Sequence, residues 1–88
     1  MSSKVDLSRD AAVIWVREGR GGAGYGERAV ARVVRTNGDG RVTISVFRDD
    51  DETWVIRSVG AGELQRPMAD ERRHLETLEL EHARRLAA

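Results

Sequence analysis

The sequence predicts a mainly-β fold: five short strands curled into one small domain, followed by a C-terminal α-helix. Three observations predict it. Two runs rich in valine, isoleucine and threonine, 28–36 and 41–48, flank Asn37-Gly38-Asp39-Gly40, and Asn-Gly and Asp-Gly steps supply the positive backbone angles that a tight hairpin needs. Shorter runs of the same character, AAVIWVR at 11–17 and TWVIR at 53–57, lie on either side. The last stretch, 68–88, changes to Glu, Arg, Leu, Ala and His with no glycine, which is helix-forming material.

Taken in order, residues 1–10 are polar and aperiodic and read as a flexible leader, in which Val5 and Leu7 are able to add an edge strand. Residues 11–17 form the first buried strand, since β-branched and aromatic residues follow one another up to the charge at Arg17. Glu18 to Glu27 carries five glycines in ten positions, too many to hold a strand or helix, and forms a long loop. In the central hairpin, pairing Thr36 with Arg41 sets Val33 against Ile44 and Ala31 against Val46 on the buried side. Val34 then faces Thr43, Arg32 faces Ser45 and Val30 faces Phe47 on the other. Asp49 to Glu52 makes a second turn into the fourth strand, 53–57. In SVGAGELQRP, Val59 and Leu64 are isolated apolar anchors, suiting one helical turn and a very short fifth strand.

The helix starts at Pro67, which fits a first turn, or is capped by Asp70. Leu75, Leu78, His82 and Leu86 recur at helical spacing as one narrow apolar stripe, with Leu80 off it. Such a stripe needs a surface to lie on, either its own sheet or a second copy. Phe47, opposite Val30, is the natural landing place for Leu75 and Leu78. Arg72 with Glu76 and Glu81 with Arg85 are spaced for ion pairs worth about 0.2–0.5 kcal/mol each on an exposed side.

The totals set bounds. At 88 residues there is room for one domain, divided as leader 1–10, β-domain 11–67 and helix 68–88. No apolar run approaches the roughly 20 residues needed to cross a bilayer, the amino-terminal stretch lacks the apolar core of a signal peptide, and there is no cysteine, so a cytoplasmic protein without disulfides is expected. Fifteen basic residues balance fifteen acidic ones, which removes the global charge argument for a nucleic-acid binder. The local balance differs: between Arg17 and Arg48 seven arginines stand against three acids.

A long glycine-rich loop, two hairpins, one helical turn and a short closing strand together resemble the Src-homology-3-like small barrel of Tudor, PWWP and KOW domains. The resemblance rests on VIWVR (13–17), GRGGAGYGE (19–27), AVARVV (29–34), RVTISV (41–46) and WVIRSVGAGELQRP (54–67). The chain is also similar to small bacterial and phage proteins with a Gly-Gly-x-Gly-Tyr-Gly-like loop before an Ala-x-Val-Val strand. The resemblance implies a five-stranded barrel over 11–67 and a binding module, for the barrel hosts peptide, methyl-mark and nucleic-acid binders alike. A KOW motif carries basic residues around its key glycine, whereas Glu18 and Glu27 bracket this loop.

Catalysis has little to work with. His74 and His82 stand eight apart on the helix with apolar Leu78 between them, no recognised metal spacing, and no Ser, His and Asp set suggests itself. No enzyme activity, metal, cofactor or small-molecule substrate is expected. GRGGAG lacks the Walker lysine and the Rossmann spacing and leads into a strand, where both of those motifs lead into a helix. The loop carries Arg20 and Tyr25, a guanidinium for phosphate or carboxylate and a ring for a base or an apolar side chain. Arg28, Arg32 and Arg41, beside Thr43 and Ser45 on the outer face, would make a positive strip for phosphates. The alternative is a solvated face neutralised by nearby acids such as Asp49 to Glu52. The aromatics Trp15, Tyr25, Phe47 and Trp54 all fall within 11–67, where a cage for a methylated cation competes with core packing. The expected function is a non-enzymatic module contacting DNA or RNA through Arg20, Tyr25, Arg28, Arg32 and Arg41. The alternative is a protein-interaction or assembly unit using Leu75, Leu78 and Leu86 with the outer hairpin face, self-association included; no membrane partner is expected.

Overall fold

The structure, a computed structural model, describes residues 5–16 and 28–87. Its elements are β1 (Ala12–Val16), β2 (Arg28–Thr36), β3 (Arg41–Arg48), β4 (Thr53–Gly60), a 3₁₀ turn (Ala61–Glu63), β5 (Leu64–Gln65) and α1 (Ala69–Ala87). The strands form one antiparallel sheet in the order β4-β3-β2-β1-β5. Strands β4 and β5 are its two edges and no ladder joins them. The sheet is therefore open, where the sequence suggested closure. β4 also continues beyond Arg57 to Gly60.

The hairpin register is correct at its base and shifted near the turn. Ala31 faces Val46, Arg32 faces Ser45 and Val33 faces Ile44, but Arg35 rather than Val34 faces Thr43, and Thr36 faces Val42 rather than Arg41. Val34 is the extra residue of a β-bulge. The cause lies in the turn. Asn37 N–H donates to the Arg41 carbonyl at 2.8 Å, so the loop is the three residues Gly38-Asp39-Gly40, with Gly40 at φ 82°. A three-residue hairpin loop ends on a left-handed residue, and the bulge absorbs the one-residue difference while keeping Ile44 and Val46 inward.

Alternation along the strands makes two apolar faces. The inner one gathers Val13, Trp15, Ala29, Ala31, Val33, Val42, Ile44, Val46, Val59 and Leu64, all buried. Although β1 and β4 are separated by two strands, the Arg57 guanidinium carbon lies 5.7 Å from the Trp15 ring centroid. The sheet coils enough for one edge to reach across its own concave side. Val5 and Leu7 pack against this cluster, and Asp10 N–H donates to the Val33 carbonyl at 2.8 Å while Val33 N–H donates to Ala11 at 2.9 Å. Residues 5–11 are thus fastened to β2 rather than frayed, though they add no strand.

The outer face gathers Ile14, Val30 and Phe47, and α1 drops Leu75, 1% exposed, among them; Trp54 and Leu78 pack at the margin. Phe47 and Trp54 meet edge to face with centroids 5.3 Å apart, so these rings are packing rather than a cage. The helix begins two residues later than a start at Pro67 would place it. The Met68 carbonyl accepts from Arg72 N–H at 2.9 Å and the Met68 N–H donates to Glu71 Oε1 at 2.9 Å, so Met68 is the cap and Glu71 supplies the return half of a capping box. The ion pairs anticipated within α1, Arg72 with Glu76 and Glu81 with Arg85, do not form; the helix acids that are paired are Glu71 and Glu79, on the face toward the sheet.

Candidate functional site

On β2, Arg28, Val30 and Arg32 alternate onto the outer face. On α1, Glu71, Leu75 and Glu79 recur every four residues and share the face that meets it. The two charge-apolar-charge triplets lock together. Arg28 Nε donates to Glu71 Oε2 at 2.8 Å and Nη2 to Oε1 at 2.9 Å; Arg32 Nε and Nη2 make the same fork on Glu79 at 2.9 and 2.8 Å. Leu75 sits between the two pairs. Arg28 also donates to Gln65 Oε1 at 3.0 Å and Arg32 to the Asp10 carbonyl at 3.0 Å. The Arg28 bonds hold the Glu71 carboxyl below its ordinary value, against partial desolvation and with help from the Met68 N–H. Glu71 and Glu79 in turn raise the guanidinium pKa values of Arg28 and Arg32.

The anticipated positive strip is therefore not an open face. Arg28 and Arg32 are neutralised by the helix, not by Asp49 to Glu52, and a phosphate would have to displace a bidentate carboxylate to reach either. Arg41 lies over the neighbouring strand, donating from Nε to Ser58 Oγ at 3.1 Å and from Nη2 to the Ser58 carbonyl at 2.6 Å. Arg20 and Tyr25 lie outside the described residues. A cleft of about 410 Å³ beside α1 holds Arg32, Arg66 and Arg72 but also Asp6, Asp10 and Glu76, so it presents no excess of either sign. His74 and His82 are both exposed, and among the described residues no group of three or more His, Cys, Asp or Glu is placed to hold a metal. No helix among them is long and apolar enough to cross a membrane.

Of the three leucines assigned to a partner, the structure separates the roles. Leu75 is buried in its own chain and unavailable, Leu78 is half-buried beside Trp54, and Leu86 is 75% exposed. The stripe is continuous in sequence, but its burial falls away from Leu75 to Leu86. His82 and Arg85 line a crevice with Phe47, Glu52 and Trp54, which places this part of α1 at the β4 edge. Leu86, one turn beyond His82, packs in neither apolar cluster and stands open to solvent.

Sequence reasoning passed over the edge itself. Ala61 N–H donates to the Gly40 carbonyl at 3.1 Å, which continues the β3–β4 ladder (Arg41↔Gly60 to Arg48↔Thr53) and fixes its phase. Hydrogen-bonded pairs recur every second residue in an antiparallel ladder, so Thr53, Val55, Arg57 and Val59 address β3. Trp54, Ile56, Ser58 and Gly60 turn their backbone groups outward. At the far end these are occupied: Glu63 Oε2 accepts from Gly60 N–H at 2.7 Å, and Arg41 takes the Ser58 carbonyl. Around Trp54 and Ile56, among the described residues, no strand pairs with them, and the Ile56 side chain is 62% exposed. The signal available in the sequence was that TWVIRSVG has no proline or lysine, two of the devices that blunt an edge, and that its single charge is Arg57. Compared with known proteins, the chain matches no family model, no curated protein and no solved structure.

Proposed function

We propose that this chain is a non-enzymatic protein-interaction module whose binding edge is β4, to which an extended segment of another polypeptide adds as a further strand. The observation that carries the reading is the open stretch around Trp54 and Ile56: outward N–H and C=O groups beside an exposed β-branched side chain, the arrangement of strand-addition sites. The internal pairing of Arg28 and Arg32 favours this over the nucleic-acid reading, which needed those charges free. We read the coiled four-stranded meander, with a 3₁₀ turn leading to a two-residue β5 beside β1, as an opened variant of the Src-homology-3-like barrel. The reach of Arg57 to Trp15 supports that reading.

A peptide library displayed on phage and selected on the full chain tests the function. Enriched peptides should alternate apolar and polar residues and lose binding to the Ile56→Lys variant. Enrichment that is insensitive to Ile56→Lys sinks the reading. So does a salt-steep mobility shift with single- or double-stranded oligonucleotides in the absence of any peptide enrichment.

A further inference from the structure

Resting on the strand-addition reading, we infer that the occupant of the β4 edge is a second copy of this chain, joined about a two-fold axis through Val55. The open stretch is self-complementary in a single register. Its far end is already used by Glu63 and Arg41, which leaves Trp54 and Ile56, among the described residues, as the two of the outward set with both backbone groups unpaired. An antiparallel copy centred on Val55 pairs Trp54 with Ile56 of the second copy, and Ile56 with its Trp54. That makes four main-chain hydrogen bonds with nothing left over. Both pairs lie on the outer face, and an aromatic ring against a β-branched side chain is a favourable cross-strand neighbour.

The helix supplies the rest. Strands lie about 4.8 Å apart; the helix end that carries Leu86, 75% exposed, follows the turn that lines the crevice beside Trp54, and in the proposed dimer Leu86 covers the Ile56 that the second copy sets opposite Trp54. The exposed leucine of each copy covers the exposed isoleucine of the other, twice by symmetry. The same register brings Glu52 opposite Ser58 of the second copy, where Arg41 already lies, so a carboxylate meets a guanidinium at each end. An unrelated peptide would take the hydrogen bonds but would not itself need the overhanging helix end.

Light scattering of the full chain across a concentration series, with amide exchange at both ends of the series, tests the inference. A dimer is expected, with Trp54 and Ile56 amides exchanging fast when dilute and protected when concentrated. Leu86→Glu, on a fully exposed turn, should weaken dimerisation tenfold or more. The chain has no cysteine, so Val55→Cys should oxidise to a covalent dimer, whereas Arg35→Cys, far from the axis, should not. A monomer at every concentration overturns the inference; if that monomer still selects edge-dependent peptides, the strand-addition reading stands without it. A dimer indifferent to Leu86→Glu and not cross-linked through position 55 overturns the inference too, because its contact is elsewhere.

Discussion

At the scale of single residues, the Arg28–Glu71 pair carries more than a surface charge contact ordinarily does, because Glu71 also closes the helix start through Met68 N–H. A double-mutant cycle on Arg28 and Glu71 should return a coupling of about 1 kcal/mol, the upper end for a partly exposed pair. Its pH dependence has a definite sign. The folded-state pKa of Glu71 lies below its ordinary 4.5, so the pair's stabilisation is fully present above that value and is lost as pH falls through the folded one. Denaturant midpoints measured from pH 6 down to 3 should fall less steeply in Glu71→Gln than in the parent chain. Arg28 was singled out from the sequence for phosphate, not for Glu71, since an arginine on a strand and a glutamate 43 positions later show no local spacing. The legible hint was the matched pattern, Arg-x-Val-x-Arg against Glu-x₃-Leu-x₃-Glu, one at the period of a strand and the other at that of a helix.

At the scale of elements, the hairpin shows what local chemistry specifies and what it leaves open. The pairing of Ala31 with Val46 and of Val33 with Ile44 was legible because burial of one face penalises any slip of a single residue. The loop length was not, since Asn37-Gly38-Asp39-Gly40 offers left-handed residues at more than one position. Gly40 is the one that takes the role, at φ 82°. Gly40→Ala meets no neighbouring atom, so its cost is conformational: a loss of about 1 kcal/mol in urea denaturation is expected, with Gly38→Ala nearer neutral. The extension of β4 to Gly60 and the caps at Ser58 and Gly60 depend on Arg41 and Glu63 reaching in from other elements, which no window of local sequence reveals.

For the molecule as a whole, α1 is part of the core and not an appendage. Leu75 closes the cluster of Ile14, Val30 and Phe47, and Leu75→Ala should cost about 2–5 kcal/mol, measured as a shift in the denaturation midpoint at constant slope. The same substitution at Leu80, 57% exposed, should change stability by less than about 0.5 kcal/mol. The boundary at 67–68 thus marks a change of composition rather than a seam between folding units. The docking of Leu75 and Leu78 beside Phe47 could be read in advance because a thin apolar stripe and an apolar sheet face require each other. That Leu86 would be left exposed could not, since it depends on how many strands lie beneath the helix and at what angle it crosses them.

The two indoles occupy opposite situations: Trp15 is sealed inside the coil beneath Arg57, while Trp54 stands at the rim beside the crevice lined by His82 and Arg85. The chain therefore carries its own pair of optical gauges. A quencher dissolved in the buffer reaches one ring long before the other, so light emitted by Trp54 reports on whatever arrives at the rim while Trp15 keeps account of whether the interior is intact.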